Sequence, residues 1–308
     1  MKKAVKPKKN LWKRIVSCWE LYLFLLPALV YFAIFQYGPL YGLQIAFKNY
    51  NPALGFLGSP WVGLKNFMNF FHGYYLWTLI RNTTFLSLYL LAAEFPLPII
   101  FALMINEMRH KRYKKVIQTV TYIPNFISAV VMVGIIMLVL DPSSGIVNNI
   151  IKSLSGQSID FLTKPSMFRN IYVWSDVWQT TGYSSIIYVA ALSAVDMELH
   201  EAAVMDGASR LKRIWHINLP TIAPTIIILL ILGAGQIMSL GIDKIYLLQN
   251  DLNLSVSQVI DTYVLRRGIF TGDYSFSAAV GMFNNVVNLI LVVVFNFISR
   301  KFSDTSLF

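Results

Sequence analysis

The sequence predicts an all-α membrane protein that crosses the bilayer six times. Its 308 residues are 56% hydrophobic and only 13% charged, with a mean hydropathy of +0.56. So little polar surface cannot cover a soluble globule. Several apolar runs also approach or exceed the roughly 20 residues that a helix needs to cross the hydrocarbon core. The net charge of +11 clusters next to these runs, which favours membrane orientation over nucleic-acid binding.

Six predicted spans follow one another along the chain, separated by polar or Gly- and Pro-rich segments. A basic tail, MKKAVKPKKNLWKR, precedes the first span. Because no small-residue cleavage pattern follows that span, we interpret it as an uncleaved helix and not as a signal peptide. The predicted spans are residues 20–37, 77–105, 117–140, 169–195, 220–240 and 277–298.

The distribution of basic residues predicts that both termini are cytoplasmic. Of 26 lysines and arginines, 17 lie in segments that this orientation places inside, although the predicted outer loops are longer. The outer loops are 47–75, 141–168 and 243–275. The predicted organisation is a basic cytoplasmic tail (1–19), a first span with its external loop (20–76), a transmembrane domain of five spans (77–300) and a cytoplasmic tail (301–308).

One long polar segment, ELHEAAVMDGASRLKRIWHINLP at residues 198–220, also has helical character. Its alanines favour helix, Gly207 permits the left-handed turn that ends one, and Ser209 can cap the next. We expect two short helices with a break between them. Pro220 would then lie in the first turn of the following span, where its missing N–H is tolerated. Two short helices joined by a turn on the membrane surface predict a docking site for another protein.

This segment resembles the EAA loop of the permease subunits of bacterial ABC importers; an ordinary cytoplasmic loop is the alternative. Further resemblance to maltose-type carbohydrate permeases lies in WVGLKNF (61–67) and IIYVAALSAVD (186–196), while QTVTYIPNFIS (118–128) resembles the subfamily for larger saccharides. VIDTYVLRRG and SFSAAVGMFNNVVN, near the C-terminus, extend the resemblance to almost the whole chain. The residues that match the EAA loop are Glu201, Ala202, Ala203, Asp206, Gly207, Ala208, Ile217, Leu219 and Pro220.

The resemblance implies the fold and the partners of a type I ABC importer permease in the bacterial cell membrane. These partners are a second, homologous permease, two cytoplasmic ATPases that dock on residues 198–220, and an external substrate-binding protein, expected to be a lipoprotein. The substrate would be a saccharide, in particular an oligosaccharide. Glu201 is expected to reach a basic residue of the ATPase. ATP and Mg would be bound by the ATPases, with no cofactor in this chain.

Catalytic and metal motifs are missing from the sequence. No glycine is followed by lysine, so the GxxxxGK[ST] phosphate loop cannot form. His200 and Glu201 begin like the zinc motif HExxH, but Val204 occupies the position of the second histidine. Cys18 is the single cysteine, which excludes an internal disulfide. The sequence therefore predicts a non-catalytic subunit.

Glu94 is interpreted as the one acid well inside a predicted span. Burying a carboxylate in a membrane is unfavourable by a few kcal/mol, so it should face water or a partner. It either makes a polar contact near the transport pathway or between permeases, or forms a helix-to-helix hydrogen bond with a packing role. The polar neighbours expected first are Thr83, Thr84 and Ser87.

The sixth predicted span carries Asn284, Asn285 and Asn288 among apolar residues. Amides both donate and accept hydrogen bonds, as saccharide hydroxyls require, and aromatic rings can support a sugar face. We expect this span to line the pathway, unless its asparagines instead bond neighbouring helices and hold the two permeases together. The expected companions are Trp178, Gln179, Tyr183 and Gln236.

Three other functions compete with a saccharide importer. An ABC permease for a non-sugar solute would share the loop at 198–220. A secondary transporter would carry more intramembrane charges and an inverted repeat, and no repeat is evident. A membrane-embedded enzyme would need a reactive constellation within the spans, which the sequence lacks.

Overall fold

The computed structural model describes residues 18–302, so most of the two predicted cytoplasmic tails, residues 1–17 and 303–308, lies outside the described residues. Within the described part the chain is helical, and its one β feature is an isolated antiparallel bridge between Lys48 and Trp61. In chain order the α-helices are α1 (Trp19–Tyr31), α2 (Gly55–Gly58), α3 (Lys65–Phe71), α4 (Leu76–Glu94), α5 (Pro96–Asn106), α6 (Lys111–Tyr122), α7 (Ala129–Leu140), α8 (Ile146–Ser155), α9 (Pro165–Ser193), α10 (Met197–Met205), α11 (Arg210–Arg213), α12 (Leu219–Ala234), α13 (Ile242–Leu248), α14 (Leu254–Ser257), α15 (Ile260–Leu265) and α16 (Tyr274–Phe302).

Tighter or wider helical turns extend several of these helices. A π-helix, Phe32–Tyr37, and a 3₁₀-helix, Gly38–Phe47, continue α1. The first helical segment therefore runs ten residues beyond the predicted end of the first span at residue 37. The others are the 3₁₀-helix Ile123–Phe126 after α6 and the π-helices Ile214–Asn218 after α11 and Arg266–Phe270 after α15.

Four continuous helical segments in the described residues are long and apolar enough to cross a membrane. They are Trp19–Phe47, Leu76–Asn106, Arg210–Ala234 and Tyr274–Lys301. The fourth predicted span, 169–195, lies on α9, which has 29 residues but is too polar to meet the same test. The count of six spans therefore stays a prediction.

The third predicted span, 117–140, is not one continuous helix. α6 with its 3₁₀ extension and α7 meet at an angle of 101°. Pro124 lacks the N–H that would continue the helix, and Ser128 is extended and caps α7 by accepting a hydrogen bond from Val131 N–H at 3.4 Å. The pair forms a fifth span only if the two bent halves count as one.

α9 organises the packing of the bundle. It runs along α4 and α5 and also contacts α6, α12 and α14. Its first half contributes Phe168, Tyr172, Val173 and Val177 to one apolar cluster with α4 and α7. Its second half contributes Tyr188 and Leu192 to a second cluster with α5 and α12. A third cluster joins α3 and α4 to α15 and α16, whereas α1 buries none of its side chains.

Candidate functional site

The polar loop between α9 and α12 has the local structure that its sequence predicts in its first half. Asp196 caps α10 by accepting a hydrogen bond from Glu198 N–H at 2.9 Å. Gly207 has a φ of +76°, the left-handed conformation that only glycine adopts readily. Two hydrogen bonds close the helix around it, from Gly207 N–H to Val204 O at 3.0 Å and from Ala208 N–H to Ala203 O at 2.8 Å.

The second half of the loop differs from the prediction. Ser209 caps the next helix as expected, accepting from Lys212 N–H at 3.4 Å. However, α11 is not a separate helix, because it continues through the π-helix Ile214–Asn218 into α12 without a break. Pro220 lies in the first turn of α12, as predicted, but α12 follows directly on wider turns in which Leu219 N–H bonds Ile214 O. A π-turn at this point tolerates the proline, which has no N–H to donate to the helix.

The expected coupling residues divide between an exposed surface and its anchor. Glu201, Ala202, Asp206, Gly207 and Pro220 are exposed. Ala203, Ala208, Ile217 and Leu219 are half-buried, and the last two pack against the cluster that α9 shares with α5 and α12. The loop is thus held to the bundle while its α10 side stays open.

Large apolar side chains lie beside these exposed residues, a feature the sequence analysis did not use. Met205 is 87% exposed, and Met197, Val204, Leu211 and Trp215 are also more than half exposed. A cavity of about 420 Å³ separates α10 from Arg213 and is lined by Met197, His200, Glu201, Val204, Met205 and Arg213. Apolar side chains gathered around a polar loop are typical of a surface that binds another protein.

A groove runs between α4, α9 and α12. It consists of two cavities, of about 380 and 470 Å³, that share Leu91, Glu94 and Gly233. The smaller cavity extends toward the end of α12, and the larger cavity extends toward α5 and the second half of α9. The polar or aromatic residues of the smaller cavity are Ser87, Glu94, Gln236 and Ser239. Those of the larger cavity are Glu94, Phe95, Tyr183, Ser184 and Tyr188.

Glu94 is not the only acid in the predicted spans, so that interpretation is wrong. Asp176 lies in α9, within the fourth predicted span, and forms an ion pair at 3.0 Å with the buried ammonium of Lys244 in α13. Glu94 interacts electrostatically with both groups. Of these three side chains, only Glu94 lines the groove, at the point where its two cavities meet.

The polar neighbours of Glu94 on α4 have other partners. The Thr83 hydroxyl accepts the Ile260 N–H at 3.0 Å, and the Ser87 hydroxyl donates to Thr83 O at 2.7 Å. Thr84 lies 3.9 Å from the sulfur of Met238. Of these three side chains, only Ser87 lines the groove.

Asn284 and Asn288 hold the chain that follows α12. Asn288 accepts the Met238 N–H at 2.9 Å and donates to the Ser239 hydroxyl at 2.9 Å. Asn284 donates to Met238 O at 2.7 Å and to Asp261 at 3.4 Å. Both amides are buried, so they shape the end of the groove through Ser239 without lining it. Asn285 is exposed.

Asp261, between the last two predicted spans, supports the same segment. Its carboxylate accepts the Leu240 N–H at 3.1 Å. Burial raises the pKa of Asp261, and this hydrogen bond acts in the opposite direction. Sequence analysis did not single out Asp261, because its partners lie more than 20 residues away along the chain.

The other residues expected in the pathway lie in three places. Tyr183 and Gln236 line the groove. Gln179 donates to Ile127 O at 2.8 Å, at the bend between α6 and α7, and lies 3.5 Å from the Lys244 ammonium. Trp178 lines a separate cavity of about 510 Å³ together with Trp174 and Pro124.

No group of histidine, cysteine, aspartate or glutamate side chains within residues 18–302 could hold a metal ion.

Comparison with known proteins identifies the family. Residues 95–304 match the binding-protein-dependent transport system inner membrane component family. The chain belongs to this family. The protein LplB of Bacillus subtilis is 46% identical over 94% of this chain and 91% of the relative. The polygalacturonan/rhamnogalacturonan transport system permease protein YteP, from the same organism, is 42% identical over 98% of this chain and 94% of the relative.

Solved structures extend this similarity to the fold. A chain from the crystal structure of a bacterial ABC transporter involved in the import of the acidic polysaccharide alginate has a TM-score of 0.87 and 40% identity, covering 94% of this chain and 98% of that one. A second alginate transporter structure, in complex with an alginate pentasaccharide-bound periplasmic protein, has the same score and identity over 97% of this chain and 100% of that one. The expected all-α permease fold is therefore confirmed. The multi-pass membrane location and the role of a non-catalytic subunit, both expected of this chain, are confirmed by its family.

Proposed function

We propose that this chain is the permease subunit of an ATP-driven importer whose substrate is a saccharide, in particular an oligosaccharide. The observation that carries the substrate class is the near full-length similarity, at 40% identity or more, to a polygalacturonan/rhamnogalacturonan permease and to an alginate importer. Both relatives handle material from acidic polysaccharides, so an acidic oligosaccharide is the first candidate.

The permease acts within an assembly. A second, homologous permease completes the channel, an external lipoprotein delivers the saccharide, and two cytoplasmic ATPases bind ATP and Mg. α10 and the Gly207 turn enter a cleft of one ATPase, where Glu201 meets a basic residue and the exposed Met205 contacts apolar surface. The anchored residues Ile217 and Leu219 transmit movement of the loop to α12, because both pack against the helical bundle.

The groove at Glu94 is this chain's half of the transport pathway. Ser87, Gln236 and Ser239 contact saccharide hydroxyls at one end, and Tyr183 offers a ring at the other. Asn284 and Asn288 position Ser239 for this contact. Trp178 and Asn285 lie outside the groove and take no part in this contact. Both termini and the loop at 198–220 are cytoplasmic, as the basic residues favour.

Reconstitution tests this function. The chain is purified with its partner permease and ATPases, placed in proteoliposomes, and supplied with the external binding protein and an oligosaccharide. The expected result is uptake together with ATP hydrolysis that rises when saccharide and binding protein are both present. If the transporter took up a non-sugar solute and no saccharide, the proposed substrate class would be wrong. Uptake by the permease without any ATPase would favour a secondary transporter.

A further inference from the structure

One cavity of the described residues is separate from the groove. It has a volume of about 650 Å³ and shares no lining residue with the two cavities at Glu94. Its walls come from the segment between α1 and α4 and from the segment that leads into α16. Both segments belong to predicted outer loops or border them. The volume lies within the range of small-molecule sites.

One wall of this cavity is aromatic. The rings of Tyr75 and Tyr263 have centroids 6.1 Å apart, Tyr263 and Phe276 are also 6.1 Å apart, and Phe276 and Phe70 are 6.2 Å apart. Phe70 and Phe276 are buried, so the wall is fixed by the core beneath it. At the end of this row, the exposed Tyr75 and the partly exposed Tyr263 offer an apolar surface for the C–H face of a pyranose ring.

Other lining residues of the cavity are polar and have free hydrogen-bonding capacity. Among the described residues, the side-chain amides of Asn49 and Asn69 have no hydrogen-bond partner. The neighbouring Asn66 instead donates to Ala46 O at 2.9 Å and Lys48 O at 3.0 Å, which fixes the loop. An amide can donate to one saccharide hydroxyl and accept from another.

Positive charge is in excess around the cavity. Arg267 lies over the Phe276 ring at 5.2 Å and forms an ion pair with Asp273 at 3.4 Å. Lys65 also lines the cavity and takes part in neither of the two ion pairs among residues 18–302. An ammonium without an ion-pair partner and a guanidinium, both lining one cavity, favour a carboxylate ligand.

We propose that this cavity binds acidic saccharides at the outer face of the permease, ahead of the groove. The sugar ring lies on the aromatic wall, Asn49 and Asn69 bind hydroxyls, and Lys65 and Arg267 bind the carboxylate of a uronate. The inference rests on the proposed saccharide transport and on the proposed orientation. A side chain of the external binding protein is the competing occupant.

The test measures saccharide binding by saturation-transfer NMR on the assembled transporter in lipid nanodiscs, without the external binding protein. The probes are trigalacturonate and the neutral maltotriose. We expect wild type to bind trigalacturonate, and we expect Lys65→Gln and Asn69→Leu each to weaken this binding roughly tenfold, the effect of losing one hydrogen bond to the ligand. Lys152→Gln, at an exposed lysine of α8, is the matched control and should bind as wild type. Gly233→Trp, which fills the groove, should keep the binding.

Three results would overturn the proposal. The first is that wild type does not bind trigalacturonate. The second is that Lys65→Gln and Asn69→Leu both bind it as tightly as wild type does. The third is that Gly233→Trp no longer binds it, which would assign the ligand to the groove. Weaker association with the external binding protein, at unchanged saccharide binding, would assign the cavity to that protein. Saccharide-stimulated ATP hydrolysis is then measured on the same nanodisc samples after the external binding protein has been added. If it persists while outer binding is absent, only this inference fails; if no saccharide stimulates it, the proposed function fails.

Discussion

Gly182 of α9 lies directly against the backbone of Thr121 in α6, so that a Cβ on Gly182 would overlap the Thr121 carbonyl group. The obstacle is backbone and not the end of a flexible side chain, so it cannot move aside without displacing α6. A glycine in the middle of α9 thus sets how closely these two helices approach.

We expect Gly182→Ala to destabilise the chain by about 1–3 kcal/mol or more, the range for overpacked positions. The measurement is the thermal unfolding temperature of the detergent-purified complex. Gly134→Ala in α7 is the matched control, because a Cβ there would meet nothing within 4 Å. Equal melting temperatures for both variants would contradict the close approach of α6 and α9.

Gly207 provides a test of coupling. Valine at a φ of +76° is strained by about 1–2 kcal/mol, so Gly207→Val should distort the turn after α10. We expect weaker association with the ATPase, or loss of saccharide-stimulated hydrolysis, at normal membrane insertion. Gly207→Asn is the control, since asparagine tolerates this conformation better. Wild-type ATPase pull-down together with normal uptake in Gly207→Val would refute the role.

Gly233 tests the groove. It lines both cavities, and the nearest atom to an added Cβ would be the Leu91 methyl group at 3.4 Å. Gly233→Trp should therefore fill the pathway and stop uptake while the subunits still assemble. Leu232→Trp, at the neighbouring exposed position, should transport normally. Uptake by Gly233→Trp at the wild-type rate would place the pathway elsewhere.

Asn288 tests how the end of the groove is shaped. In Asn288→Leu the buried Met238 N–H loses its acceptor, a penalty of about 1–3 kcal/mol, and Ser239 loses its donor. We expect lower uptake or a changed choice of saccharide with the complex intact, and the same for Asn284→Leu. The exposed Asn285→Leu is the control and should behave as wild type. Loss of assembly in size-exclusion chromatography would instead assign both asparagines a role in holding the subunits together.

Cysteine labelling tests the orientation. In a background without Cys18, a cysteine at position 153 should react with a membrane-impermeant thiol reagent in intact cells. Cysteines at positions 114 and 209 should react only after the membrane is opened. The reverse pattern would invert the proposed topology.

Local chemistry was predictable from the sequence, and long-range geometry was not. The Gly207 turn and the Ser209 cap depend on residues within about five positions, so the sequence alone placed them correctly. The pairing of Asp176 with Lys244 joins residues 68 positions apart, and no periodicity indicates it. Likewise, Trp178 and Tyr183 are close in sequence but line different cavities, because α9 packs on several of its faces. The bend at Pro124 could have been suspected from the proline, but its angle depends on how α6 packs against α9.

The central position of α9 has a consequence for how the protein enters the membrane. The four apolar helical segments can each partition into the bilayer independently, because their side chains favour lipid over water. α9 carries Arg169, Asp176 and Gln179 and is too polar to do so, yet it packs along α4 and α5. These polar side chains are instead covered by protein: Arg169 donates to Asn82 of α4 at 3.3 Å, Gln179 donates to Ile127 O at 2.8 Å, and Asp176 pairs with Lys244. We therefore expect this helix to be stable in the membrane only together with its neighbours, so that its insertion is coupled to its tertiary folding.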